Sequence, residues 1–332
     1  MRFVFVLLIV PVLAACSVAP EYGALEVARG EGRAQAGRQI SMTSWNIGYA
    51  ALGAGADFIA DGGTSLRALP AEEIAAAATD IAVTAQGFDS DFILMQEISD
   101  GGFLTREVPV LAEIDAALPD YSAVYWRDLA VEGLPESLRI SHGLAVFARP
   151  AVERTLAVAI PDEPEPLALW FRRHYGATVS EVPIRGTDRK WIVINIHLSA
   201  FDSGGKVRRE QAAAVFAYAR AEYAKGNYVV IGGDWNMRLV QSDFPHRTDD
   251  KFLFWLVDFP DNLLPRGWRI GVDEGVPTVR TLQKPYVPGE NYTAIIDGYA
   301  YSPNVAMRRI STHDLGFRSA DHNPVSAVFV AR

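Results

Sequence analysis

The sequence of 332 residues contains one cysteine, which excludes an internal disulfide framework and a CxxC-type zinc site. It also lacks a long hydrophobic run: the apolar stretch from Phe3 to Leu13 is too short to span a bilayer as a stable helix. Basic residues are in deficit. Lys and Arg number 31 against 40 Asp and Glu, a formal charge of -9, which argues against avid nonspecific binding to polynucleotide. No G-x-S-x-G elbow, HExxH or P-loop occurs, which weakens serine esterase, zincin and nucleotide-binding readings. What is present is a globular balance, 49% hydrophobic and 21% charged, at a length that can bury a sizeable core.

Arg2, the apolar run and Ala14-Ala15 together read as a secretory signal. Leu13-Ala14-Ala15-Cys16 resembles the bacterial lipobox, in which the Cys thiol is diacylated and becomes the first mature residue. The alternative is a plain signal peptide. Residues 1–15 are thus expected to be removed and Cys16 to anchor the protein extracytoplasmically in a bacterial cell envelope, at the periplasmic face or in the outer membrane. Each buried CH2 of such an anchor contributes about 0.8 kcal/mol. Residues 16–38, rich in Gly, Ala, Glu and Arg without periodicity, read as a lipidated flexible tether. No linker or repeat divides residues 39–332, so one domain, expected to be monomeric, is predicted there.

Within it, apolar runs of strand length alternate with helical patterns. Strands are predicted at 40–45, 91–96, 143–148, 178–183, 191–197, 228–232, 295–301 and 325–330, and helices at 70–84, 108–118 and 207–224. This pattern argues for an α/β arrangement with stacked sheets. Residues 48–69 and 267–291 are too long and too rich in Gly and Pro for simple connections.

Polar residues stand where the apolar runs stop. Asn46, Gln96-Glu97, His197 and Asp234-Trp235-Asn236 each end a run, Asp297 follows Ile295-Ile296, and Asp321-His322 precede the final strand. Rigid strand ends are where α/β folds collect their sites. Glu97, Asp234 and Asp321 are hard oxygen ligands or bases, Asn46 and Asn236 supply amides, and the mixture suits Mg2+. His197 and His322 add acid–base capacity and phosphate-facing donors. Phosphoester hydrolysis needs this set: a metal, a positioned water and a proton for the leaving group.

The blocks Ser44-Trp45-Asn46, Leu94-Met95-Gln96-Glu97, Asn195-Ile196-His197-Leu198, Gly232-Gly233-Asp234-Trp235-Asn236, Ile296-Asp297-Gly298-Tyr299 and Ser319-Ala320-Asp321-His322-Asn323-Pro324 resemble the endonuclease/exonuclease/phosphatase superfamily, in order and in content. They extend over nearly the whole mature domain. The resemblance implies a four-layer α/β sandwich, with two facing mixed sheets and helices outside. It implies that Glu97 holds Mg2+, or Mn2+ in its place, with Asn46 and Asp321 near the same ion. It further implies that Asp234 orients or deprotonates water, while Asn236 holds Asp234 and a phosphate oxygen. His322, oriented by Asp297, would bind the scissile phosphate, and His197 would contact phosphate or protonate the leaving oxygen. The His at position 197 is similar to that of the secreted deoxyribonuclease, sphingomyelinase and inositol-phosphate phosphatase branches, whereas abasic-site endonucleases usually carry Tyr. The expected activity is a Mg2+-dependent phosphodiesterase or phosphatase acting on a lipid or small-molecule phosphoester. The alternatives are a scavenging nuclease and a non-catalytic lipoprotein that binds a phosphorylated ligand. Arg172-Arg173-His174, Lys206 and Arg208-Arg209 are further candidates for a phosphate-bearing head group, and His142 for the cleft wall.

Overall fold

Strands buried on both faces read as unbroken apolar runs, because successive side chains point to opposite sides and both sides are covered. The computed structural model of this chain shows that arrangement over the residues it describes, 16–17, 20–27, 33–67, 69–132, 134–164, 173–200 and 202–332. The signal-like segment 1–15 and Arg172 lie outside the described residues.

Strands are numbered along the chain: β1 (Cys16–Ser17), β2 (Gly23–Leu25), β3 (Gln39–Asn46), β4 (Phe92–Ile98), β5 (Ser122–Glu132) and β6 (Ile140–Ala148). Then come β7 (Arg154–Ala159), β8 (Gly176–Pro183), β9 (Lys190–His197), β10 (Tyr228–Asp234) and β11 (Arg269–Gly271). The last are β12 (Val279–Arg280), β13 (Thr293–Ala294), β14 (Asp297–Tyr301), β15 (Val305–Thr312) and β16 (Val325–Ala331). The helices are α1 (Ala71–Gly87), α2 (Val110–Ala117) and α3 (Lys206–Ala224).

Two seven-stranded mixed sheets result, in the orders β1-β5-β6-β4-β3-β16-β15 and β11-β14-β10-β9-β8-β7-β2. Each has a parallel pair near its middle, β3 with β4 and β9 with β10. Alternation along β4 sorts the layers. Phe92 and Leu94 enter the core between the sheets with Trp191, Val193, Tyr228 and Val230, while Ile93 and Met95 face the outer layer. There Ile74, Ala78 and Ile81 of α1 and Ile114 of α2 cover them, at helical spacing. On the opposite side Val215, Phe216 and Ala219 of α3 cover Ile192, Ile194, Val229 and Ile231. The molecule is the expected four-layer α/β sandwich.

Three departures from the sequence reading have local causes. The run at 295–301 is shortened: β14 starts at Asp297, and Ile295-Ile296 join it to Thr293–Ala294, which pair with β12 in a separate ribbon. Strands β5, β7 and β15 were not predicted; in β15 the two exposed arginines, Arg308 and Arg309, hide the strand pattern. The stretch read as a tether is partly built into the fold. Gly23–Leu25 pair with β7, Cys16–Ser17 pair with β5, and Ala36 is buried in a bridge to Ile184. Small side chains carry no periodicity but let a backbone lie flat against a sheet edge.

Candidate active site

Register lines the chemistry up on neighbouring strands. His197 at the end of β9 is abreast of Asp234 at the end of β10, which is abreast of Asp297 at the start of β14. Gly233 permits this crowding, because at φ 145° a Cβ there would lie 2.1 Å from Ile196 O. From the facing sheet come Asn46, ending β3, and Glu97, in a bulge of β4 between Met95 and Ile98. Glu97 sits at φ 51° and Asn236 at φ 49°, left-handed conformations that non-glycine residues adopt where the surroundings enforce them. Asp321 and His322 arrive just ahead of β16.

Asn46, Glu97, His197, Asp234, Asn236, Asp321 and His322 line one cleft, and Asp297 stands behind His322. Asp234 is the centre. Its Oδ2 accepts from Asn46 Nδ2 at 3.0 Å, and its Oδ1 accepts from the backbone N–H of Asn236 at 2.8 Å. His197 Nε2 is 3.6 Å from Asp234 Oδ2 and 3.6 Å from Glu97 Oε1, and His322 Nε2 is 3.8 Å from Asp234 Oδ2. His322 Nδ1 bonds Asp297 Oδ2 at 2.8 Å. Thr278 Oγ1 accepts from the N–H groups of Ile296 and Asp297, fixing the strand start that carries this carboxylate.

Burial and the neighbouring Asp297 push Asp234 up to about 7. Burial, opposed by His322 and reinforced by Glu97, raises Asp321 to about 6. The two histidines are driven apart. Burial disfavours charge on His322, but Asp297, Asp321 and Asp234 outweigh it and hold its pKa well above the usual histidine value. Burial, and then the Arg173 guanidinium, depress His197 well below that value.

The donor set fits a hard cation. Glu97 Oε2 and Asp321 Oδ1 are buried without a hydrogen-bond partner among the described residues, the state expected of ligand oxygens. Gly48 keeps the space beside Asp321 open, since a Cβ there would fall 2.6 Å from Asp321 Oδ1. Asp234, Asp297 and His322 also bring potential ligand atoms within 4.8 Å of one another. There, however, Asp297 takes His322 Nδ1, and the raised pKa keeps a proton on Nε2, so the ring has no lone pair for a metal and the Glu97–Asp321 side is the better fit.

Several sequence expectations change in detail. Asn46, expected beside the metal, gives its amide N–H to Asp234 while its Oδ1 accepts from Gly48 N. Asn236 was expected to hold Asp234 and a phosphate oxygen; its backbone N–H holds Asp234, and its side-chain amide donates one hydrogen to Leu198 O at 2.8 Å. Arg208 is fully buried and bonds Asp202 and the carbonyls of Ala200, Asn236 and Trp255, so it is a staple and not a head-group ligand. Lys206 and Arg209 are on the α3 surface and do not line the cleft. Arg173 and His142 do line it, while His174 pairs with Asp162. Sequence reasoning missed Asp128 and Tyr49. Asp128 lies in an unpredicted strand, and Tyr49 is a cleft residue whose hydroxyl burial and Glu97 push well up.

No family model and no curated protein matches the sequence. Solved structures do. Truncated Caenorhabditis elegans TDP2 is 16% identical over 88% of this chain and 98% of its own, with a TM-score of 0.57. An endonuclease/exonuclease/phosphatase from Bacteroides vulgatus is 15% identical over 89% and 99%, with a TM-score of 0.55. The human Nocturnin catalytic domain with bound sulfate is 13% identical over 93% and 98%, with a TM-score of 0.54. The chain has the fold of the endonuclease/exonuclease/phosphatase superfamily.

Proposed function

We propose that this protein is a Mg2+-dependent phosphoester hydrolase, with Mn2+ able to replace Mg2+. The observation that carries the reading is a buried Asp234 between two histidine Nε2 atoms, beside the unpaired oxygens of Glu97 and Asp321. Glu97 and Asp321 would hold the metal, which neutralises phosphoryl oxygens when bound. Asp234, fixed from both sides by Asn46 and Asn236, orients a water for in-line attack on phosphorus and takes its proton. A carboxylate near pKa 7 is matched to that task. His322, cationic and steadied by Asp297, donates from Nε2 to an oxygen on which charge grows.

The cleft, about 490 Å³, supports a phosphoester with an apolar body. Leu52, Phe58, Leu104, Leu129, Ile140 and Leu282 are among its walls, and Ile59 and Leu66 at its mouth are exposed. Its two guanidinium groups, Arg173 and Arg280, already bond protein groups, and no lysine lines it among the described residues. A polynucleotide groove calls for free cations along its length.

The test is a panel of bis-p-nitrophenyl phosphate, p-nitrophenyl phosphate, plasmid DNA and phospholipid vesicles, each with Mg2+ or EDTA. Metal-dependent turnover of the small ester and the vesicles is expected, with Asp234→Asn folded and slower by orders of magnitude. Fast EDTA-sensitive cutting of DNA without lipid turnover would favour a nuclease instead. We also propose a lipid anchor at Cys16 in the bacterial envelope, supported by Leu13-Ala14-Ala15-Cys16. Labelled palmitate should enter the wild type and not Cys16→Ser.

A further inference from the structure

Behind His197 the cleft wall holds three more polar side chains. Asp128 lies in β5, at a bulge where that strand pairs with β6; His142 lies in β6; Arg173 precedes β8. Asp128 and His142 are buried, and the Arg173 side chain is only 11% exposed. Asp128 Oδ2 accepts from Arg173 Nε at 2.9 Å and from Nη2 at 2.6 Å, and Asp128 Oδ1 is 2.8 Å from His142 Nδ1. The guanidinium is further held 4.6 Å from the centre of the Tyr175 ring. Two bonds to one carboxylate and a stacked face leave it little freedom to turn.

Arg173 Nη2 also reaches His197 Nδ1 at 2.8 Å. A guanidinium offers N–H donors and no acceptor, so the ring nitrogen must accept. Nδ1 of His197 is therefore bare, and the single proton of a neutral imidazole lies on Nε2. The surroundings of Nε2 agree, because two carboxylate oxygens, Glu97 Oε1 and Asp234 Oδ2, lie 3.6 Å from it. His322 has the opposite arrangement, with its Nδ1 facing the Asp297 carboxylate. One ring is held by a cation and the other by an anion.

We propose that Arg173, locked by Asp128, is a positioning residue that fixes His197 as a neutral Nε2–H donor to a phosphoryl oxygen, and not as the acid that protonates the leaving group. The assignment rests on the hydrolase reading above. In the step it describes, the water oxygen bonds to phosphorus and the water's proton passes to Asp234. The bond from phosphorus to the leaving oxygen breaks, and that oxygen keeps the electron pair and takes a proton from solvent water. His197 keeps its own proton throughout.

Two measurements on the full chain test this. In histidine-15N-labelled protein at neutral pH, long-range 1H–15N correlation should show His197 as the Nε2–H tautomer. Arg173→Met should lose that single pattern and Arg173→Lys should restore it. An imidazolium or Nδ1–H pattern in the wild type, or no change in Arg173→Met, overturns the proposal. The second measurement compares His197→Gln on a p-nitrophenyl ester and on the matching alkyl ester. A donor to a phosphoryl oxygen predicts similar rate losses for both, within about threefold, whereas loss of a general acid would slow the alkyl ester by a further ~10²–10⁴. The larger loss overturns it. The spectra need no turnover, so failure of the hydrolase reading, seen as no metal-dependent cleavage of either ester, is told apart from failure of this assignment.

Discussion

Arg280 is buried in the ribbon strand β12 and bonds the two long loops that wall the cleft. Its Nη2 donates to Gly53 O at 2.7 Å and Leu52 O at 3.1 Å, and its Nη1 to Thr281 O at 3.1 Å; Ala56 O and Lys284 O lie farther off at 3.4 and 3.5 Å. Replacing Arg280 by Met keeps most of the volume and leaves Leu52 O and Ala56 O without a donor, whereas Gly53 O keeps the Ala56 N–H and Thr281 O and Lys284 O keep the Asn291 amide. At about 1 kcal/mol or more for each of these two orphaned carbonyls, the loops lose roughly 2 kcal/mol of local stability. The cheaper response is for the loops to open and admit water, while the sheets stay intact. Native-state hydrogen exchange reads this directly at two amides that tie the loops together, Phe58 N to Leu282 O and Tyr286 N to Ala54 O, each 2.8 Å. Both should exchange roughly thirtyfold faster in Arg280→Met, while the amides of β10 stay protected as in the wild type. Exchange of Phe58 and Tyr286 at the wild-type rate would refute the view that this guanidinium holds the loops.

Three further outcomes are expected. Asp234 binds its proton more tightly in the folded protein, at about 7, than at the ordinary value of 3.8, so its contribution to stability is full at acid pH and is lost as pH rises through 7. In EDTA, Asp234→Asn should therefore gain on the wild type in urea midpoint as pH rises across that range; a widening wild-type advantage would contradict the shift. Gly48→Ala puts a side chain at φ 48° and a Cβ against Asp321 Oδ1, adding about 1–2 kcal/mol of backbone strain. Calorimetric titration should show Mg2+ affinity falling by more than that strain explains. Asp297→Asn should lower kcat by about 10²–10⁴ with little change in KM, by analogy with other histidine-orienting carboxylates, and an unchanged kcat would remove Asp297 from the mechanism.

The parts of the fold legible in the sequence are those buried on both sides. The runs of β4, β9 and β10 are apolar over most of their length, β3 alternates Ile40 and Met42 with polar residues, and Asn46, Glu97, His197 and Asp234, which stand where these strands stop, are cleft residues. Legibility fails where a strand is half exposed, as in β15, or where a partner is distant. Asp128 and Arg173 are 45 positions apart, and no local spacing joins them. It fails also for side-chain direction. Nothing in Gly-Asp-Trp-Asn indicates that the Asn236 amide turns back to Leu198 O, or that Trp235 packs inward on Phe216 with its Nε1 donating to Gly298 O.

The short strands near the N-terminus cover sheet edges. β1 lies along the outer strand of one sheet and β2 along the outer strand of the other, at the same side of the sandwich. An uncovered outer strand is a template for a second chain. A protein cut back to Gln39 would leave β5 and β7 as raw edges, and Trp126 would lose both the Glu21 carbonyl and the Tyr22 ring that cap it. Such a truncation should remain able to fold yet accumulate as intermolecular β-sheet. These N-terminal residues would then be working as a guard against self-association.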